Sequence, residues 1–129
     1  MAVVIALDLD KFTQVTTERG WSEYSPNPVT RYLTHAVSDF AQDHHATVLS
    51  GVDYKRGTEE AQVYCSHPDI NTIIQDLNNI CKKIQKMGVT LSVGIAHVPS
   101  EIPAKSLQDY PLAKKALRKS KRKGKIIVL

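Results

Sequence analysis

The run Ala2-Val3-Val4-Ile5-Ala6-Leu7 constrains the fold most. Six apolar residues without alternation, three of them β-branched, read as a central strand covered on both faces, since a strand with one wet face would alternate. The rest of the chain must supply neighbours for that strand and layers to cover it. Residues 29–43 place Val29, Leu33, Ala36, Val37, Phe40 and Ala41 at helical spacing, behind Asn27 and Pro28 in the cap-then-proline order of a helix start. Residues 46–53 and 60–65 then read as an antiparallel hairpin joined by the polar, glycine-containing link 54–59.

A second helix is expected from an Asp69 cap, with Ile70, Ile73, Ile74, Leu77, Ile80, Cys81, Ile84 and Met87 in phase until Gly88 stops it. Residues 89–96 alternate as a fourth strand would. A proline-containing link over 97–103 leads to a third helix near 112–121, and residues 126–129 read as a last strand. Residues 11–28 are too rich in turn formers to be one regular helix and are long enough to form a lid or wall. The order β-α-β-β-α-β defines an α+β, ferredoxin-like (split βαβ) domain. It predicts an antiparallel sheet with helices packed on one face, plus an extra C-terminal helix and edge strand. A length of 129 residues suits a single domain, 1–129.

No apolar stretch approaches the ~20 residues that span a bilayer, and the N-terminus lacks the basic flank and cleavage site of a signal peptide, so a cytoplasmic protein without membrane contact is expected. Cys65 and Cys81 have neither Cys-x-x-Cys spacing nor secretory context and are expected as reduced thiols. The five histidines are scattered and do not suggest a metal site. The net charge of +4 conceals an asymmetry: residues 114–125 hold eight cations and no acid, and the remainder carries a net −4. A field confined to one helix favours a phosphate-bearing ligand over general nucleic-acid affinity, beside the plain alternative of a solvated helix face.

Asp8 at the end of the first strand and Asp53 at the mouth of the hairpin are the candidate catalytic carboxylates. They would converge on one edge of the sheet if their strands lie close. Asp10 is a second candidate beside Asp8. Each has a bland alternative, Asp8 as a turn cap and Asp53 as an Asx turn.

Several short segments, in order, resemble the palm-type nucleotide cyclases and polymerases that include GGDEF diguanylate cyclases and CRISPR polymerases. Asp8-Leu9-Asp10-Lys11-Phe12 is similar to the Asp-x-Asp-x-Phe signature of that superfamily, and Gly51-Val52-Asp53 stands where its hairpin motif stands. Leu91-Ser92-Val93-Gly94-Ile95-Ala96 resembles its Ser-x-Gly-Ile-Ala strand, and residues 113–125 resemble its closing helix. The resemblance implies Mg²⁺ or Mn²⁺ held by Asp8, the Leu9 carbonyl, Asp53 and Asp10. It implies nucleotide contacts from Phe12, Gly51, Arg118, Lys121 and Lys125, and a base pocket within residues 12–24. Such an ion takes oxygen ligands, commonly one or two carboxylates plus substrate phosphates. The implied activity is synthesis of a cyclic di- or oligonucleotide from ATP or GTP. Because one palm presents one triphosphate, a homodimer or higher oligomer is implied as well.

The departures bear on activity. Val52, Tyr54 and Lys55 replace residues of the hairpin motif, and Thr16-Thr17 stands where the family has Asn-Asp. In the family that pair helps to read guanine, so the base stays open. The lack of a sensory domain resembles the stand-alone minimal CRISPR polymerases, thought to act in defence. Trp21 followed by Pro26-Asn27-Pro28 resembles the N-terminal half of archaeal GTP cyclohydrolase III. A purine-ring hydrolase and a degenerate, nucleotide-sensing palm are therefore the alternatives.

Overall fold

The protein is described here by a computed structural model covering residues 1–99 and 101–129; Ser100, in the link expected over 97–103, lies outside the described residues. The apolar run forms β1 (Ala2–Leu9), followed by α1 (Phe12–Arg19), α2 (Pro28–Asp43), β2 (Thr47–Ser50) and β3 (Glu60–Cys65). Then come α3 (Ile70–Lys86), β4 (Leu91–Val98), a 3-10 turn (Ala104–Leu107), α4 (Pro111–Lys123) and β5 (Ile127–Val128). The strand order is β2-β3-β1-β4-β5, which leaves β2 and β5 at the edges. β1 lies antiparallel between β3 and β4, and β5 runs parallel to β4. This is the split βαβ arrangement expected from the element order.

The helix starts follow from local chemistry. Asn27 Oδ1 accepts from the N–H groups of Val29 and Thr30 at 3.0 and 2.9 Å, while Thr30 Oγ1 accepts from Asn27 N at 3.0 Å. This reciprocal cap satisfies donors that α2 cannot pair internally. α2 and α3 cover one face of the sheet, where Ile5, Leu33, Ile73, Leu77 and Ile84 are fully buried.

α4 covers the opposite face. There the even-numbered residues of β1, Ala2, Val4 and Ala6, form a second core with Ala96, Val98, Leu107 and Ala113. Small residues let the helix come close: a Cβ on Gly94 would stand 2.2 Å from the backbone nitrogen of Leu117. The two-sided burial of β1 is thus met by α2 and α3 on one side and by the extra C-terminal helix on the other.

β2 is shorter than the strand expected over residues 46–53. Gly51 sits at φ 97° and a Cβ there would lie 2.0 Å from the Glu60 carbonyl oxygen, so the chain crosses tightly over the start of β3 and leaves the ladder. Within residues 11–28 the regular part is the eight-residue α1, which Gly20 ends at φ 69°.

Candidate functional site

The end of β1 carries two acids onto one cation. Lys121 of α4 places its ammonium 3.1 Å from Asp8 Oδ2 and 2.8 Å from Asp10 Oδ1. The side chains of Asp8, Asp10 and Lys121 are 32, 23 and 36% exposed, so the cluster is reachable from solvent yet largely desolvated. Asp8 belongs to the α4 face because it continues the even-numbered series of β1, opposite Ser92 of β4. Asp10, just past the strand, is gripped by β4: Ser92 Oγ donates to both of its carboxylate oxygens at 2.8 and 2.9 Å, and Thr90 Oγ1 donates to Oδ2 at 2.8 Å.

The electrostatics of the two acids diverge. Burial raises the Asp8 carboxyl above its ordinary pKa, and the ammonium of Lys121 offsets only part of that effect. Burial pushes Asp10 upward too, but hydrogen bonds from Lys121, Thr90 and Ser92 outweigh it and hold Asp10 below the ordinary value. Desolvation alone would lower Lys121, yet the two carboxylates hold its pKa above the usual lysine range.

Two clefts open on either side of α1 and meet at Lys121. One, of about 670 Å³, is lined by Asp10, Lys11, Gln14, Glu18, Thr90 and Lys121. The other, of about 800 Å³, is lined by Asp8, Leu9, Phe12, Gln14, Thr17 and Lys121. Both volumes suit a small-molecule ligand. Arg19 pins the far end of α1 by donating to the Met87 carbonyl at 2.9 Å and by covering the Trp21 ring at 5.1 Å.

Asp8, Asp10 and Lys121 are therefore brought together, whereas Asp53 stands apart. Its Oδ1 accepts the backbone N–H groups of Lys55 and Arg56, each at 2.9 Å, which makes an Asx turn. Those two bonds also hold the carboxyl of this fully exposed residue below its ordinary pKa. β2 and β1 reach the same end of the sheet, but β3 lies between them. Asp53 makes no ion pair or hydrogen bond with Asp8 among the described residues, and no group of three acids, histidines or cysteines gathers there at metal-binding distance.

The remaining candidates separate by burial. Phe12 is buried against Trp21, with ring centroids 6.5 Å apart, so only the floor of a cleft is its to form. Gly51 serves the close crossing described above. Leu9 buries its side chain and donates its N–H to the Glu59 carbonyl at 2.9 Å, which leaves only backbone to offer. Arg118 is exposed on α4. Lys125 lies beyond Gly124, whose φ of 69° turns the chain out of the helix. Thr16 is buried and, like Thr17, gives its hydroxyl hydrogen to the Thr13 carbonyl.

A divalent ion fits the donor set at Asp8. A single ammonium already approaches both acids within 3.1 Å, and the second oxygen of Asp8 carries no protein donor among the described residues. With so few protein ligands, such an ion would complete its shell with water and phosphate oxygens, as Mg²⁺ commonly does.

The sequence matches no protein-family model and no curated protein. The fold does match solved structures. The GGDEF domain of DgcB from Caulobacter crescentus, in complex with c-di-GMP, is similar at a TM-score of 0.70 and 19% identity, over 98% of this chain and 77% of that one. The active GGEEF domain of a diguanylate cyclase from Vibrio cholerae is similar at 0.67 and 17% identity, over 98% and 81%. A Csm1-Csm4 cassette in complex with cA4 is similar at 0.57 and 13% identity, over 99% of this chain and 21% of that one.

The chain has the GGDEF-like palm fold.

In this palm the register brings Glu60, the first residue of the strand expected over 60–65, to Asp8, with Glu59 of the polar link beside it. Glu60 stands directly across from Asp8 in the β1–β3 ladder and so shares its face, where opposed Cβ atoms lie about 5 Å apart. The turn that delivers them is docked on α2: Thr58 is fully buried, hydroxyl to hydroxyl with Thr34 at 2.7 Å, and its N–H donates to the Thr30 carbonyl at 3.2 Å. The signal was present in the letters. Gly57-Thr58-Glu59-Glu60 shares three of its four letters with Gly-Gly-Glu-Glu.

Proposed function

We propose that the chain is a metal-dependent nucleotidyltransferase that joins nucleoside triphosphates, ATP or GTP, into a cyclic di- or oligonucleotide. The observation that carries this reading is the Asp8–Asp10–Lys121 cluster at the junction of two open clefts, in a fold shared with diguanylate cyclase domains. In the reading, Asp8 and the Leu9 carbonyl hold Mg²⁺ or Mn²⁺, with Glu59 or Glu60 completing the set from the neighbouring strand. Asp53 would join only by releasing Lys55 and Arg56. A bound ion would supply charge opposite the α-phosphate and acidity to the attacking hydroxyl.

Lys121 and Arg118 on α4, with Lys125 past its end, take the phosphates, and charge-assisted contacts make that grip stronger than neutral ones would. Gln14, Thr17 and Glu18 line the walls where a base would lie. Attack on the α-phosphate releases pyrophosphate. Closing a ring needs two bound triphosphates held in line, so two copies facing each other belong to the reading. A second-messenger role in antiviral defence is the biological setting that the CRISPR-type likeness favours.

The test is mass spectrometry of products from mixed nucleoside triphosphates with Mg²⁺ or Mn²⁺. A phosphodiester product and pyrophosphate are expected, lost in Asp8→Asn. Loss in Glu59→Gln or Glu60→Gln but not in Asp53→Asn would place the second carboxylate on β3's entry. A product that retains its triphosphate but has an opened purine ring would overturn the reading. A nucleotide-binding palm without turnover is the second reading, favoured because no group of three His, Cys, Asp or Glu side chains stands at metal-binding distance among the described residues. It predicts nucleotide affinity that survives Asp8→Asn.

A further inference from the structure

Asp8 and Asp10 differ in what already occupies them. Three donors serve the two oxygens of Asp10: the Ser92 hydroxyl, whose one hydrogen is shared between them, the Thr90 hydroxyl and the Lys121 ammonium, all at 2.8 to 2.9 Å. Both oxygens of Asp10 are thus engaged, and its plane is fixed by two hydroxyls, from Thr90 and from Ser92. Asp8 has Lys121 as its ion-pair partner and keeps an oxygen free among the described residues. Lys121, for its part, makes its shorter contact by donating to Asp10 at 2.8 Å and its longer one with Asp8 at 3.1 Å.

We propose that Asp10 is a positioning residue rather than a metal ligand, that it tethers Lys121 beside Asp8, and that Lys121 and a divalent cation compete for the Asp8 carboxylate. Without an ion the ammonium is the counter-charge of the Asp8 carboxylate. An arriving divalent ion takes the Asp8 side of that contact, since two cations so close repel. The ammonium, still bonded to Asp10, is then turned toward the cleft, where a phosphate anion replaces Asp8 as its second contact. Ion entry and phosphate binding are thereby coupled through one lysine. The inference rests on the proposed function only for the existence of an ion site at Asp8.

Mn²⁺ binding to the nucleotide-free protein, followed by electron paramagnetic resonance, tests it. Lys121→Met is expected to bind Mn²⁺ about tenfold more tightly than the natural protein, because a like charge beside the ion has been removed. Within the Lys121→Met background, Asp10→Asn should change the affinity by less than about threefold, whereas Asp8→Asn should abolish binding, as only a direct ligand leaves the ion without its oxygen. Unchanged or weaker Mn²⁺ binding in Lys121→Met overturns the competition. A loss on Asp10→Asn as large as on Asp8→Asn overturns the positioning role, and no Mn²⁺ binding by any of these proteins overturns both. Thermal melting confirms that each variant is folded. Because no nucleotide is present, a protein that makes no product can still satisfy this test, so the two readings fail separately.

Discussion

Asp8 and Asp10 sit two residues apart yet contribute to stability with opposite sign. The folded-state pKa of Asp8 is raised, so the folded chain holds that proton more tightly than the unfolded chain does, and stability falls as pH rises from the ordinary carboxylate pKa through the raised one. Asp10 is depressed, so its contribution is present above the ordinary carboxylate pKa and is lost as pH falls through the lower folded value. At pH 7, Asp8→Asn is expected to melt no lower than the natural protein and Asp10→Asn to melt below it. Both differences should shrink below about pH 4, the ordinary carboxylate range; differential scanning calorimetry at the two pH values reads this. An acid that costs stability where it stands is a familiar property of residues kept for chemistry. Nearby, burial pushes the Cys81 thiol up to about 11, with Asp10 adding to the effect, which keeps it protonated at neutral pH.

α4 is joined to the sheet by more than packing. Its Ser120 hydroxyl accepts the N–H of Val93 at 3.0 Å on the side of β4 that the two-residue β5 is too short to cover. Ser120→Ala would leave that buried donor without a partner, and a loss of about 1–3 kcal/mol is expected by urea denaturation. The same change should loosen Lys121, one residue along, from Asp8.

Elements of this kind were unevenly legible in the letters. Asn27-Pro28 and Asp69 announced their helices because caps act over three or four residues of contiguous chain. Glu60 did not announce itself as the neighbour of Asp8, because that adjacency is created by the pairing of strands some fifty residues apart. The end of β2 was misjudged for a related reason: Gly51 stops the strand only because the Glu60 carbonyl lies where a Cβ would be. Lys121 was one of eight cations until α4 met β1, and only its phase relative to Ala113, Ala116 and Ser120 turns it toward the acids.

Charge is segregated on the scale of the whole molecule. The helix that closes the second core and the two residues past it hold eight of the seventeen cations, while the rest of the chain is net acidic. A triphosphate approaching the clefts meets that local field, which mobile ions screen over about 8 Å at physiological salt. The affinity for a non-hydrolysable triphosphate analogue is therefore expected to fall steadily as ionic strength rises from about 0.05 to about 0.5 M, where screening shortens to a few ångströms. Isothermal titration calorimetry checks this, and an affinity indifferent to salt would mean that α4 takes no part in binding. Among the described residues no helix is long and apolar enough to cross a membrane.

The sheet's borders have a consequence for how copies can meet. β2 spans four residues and breaks register after Val48, and β5 spans only two. Neither rim offers a long, regular row of free amides and carbonyls on which another chain could continue the ladder. Association by growing one continuous sheet across two molecules is thus disfavoured at both flanks. Where two such molecules do pair, helices and loops are left to make the contact, and those are also the parts that border the clefts.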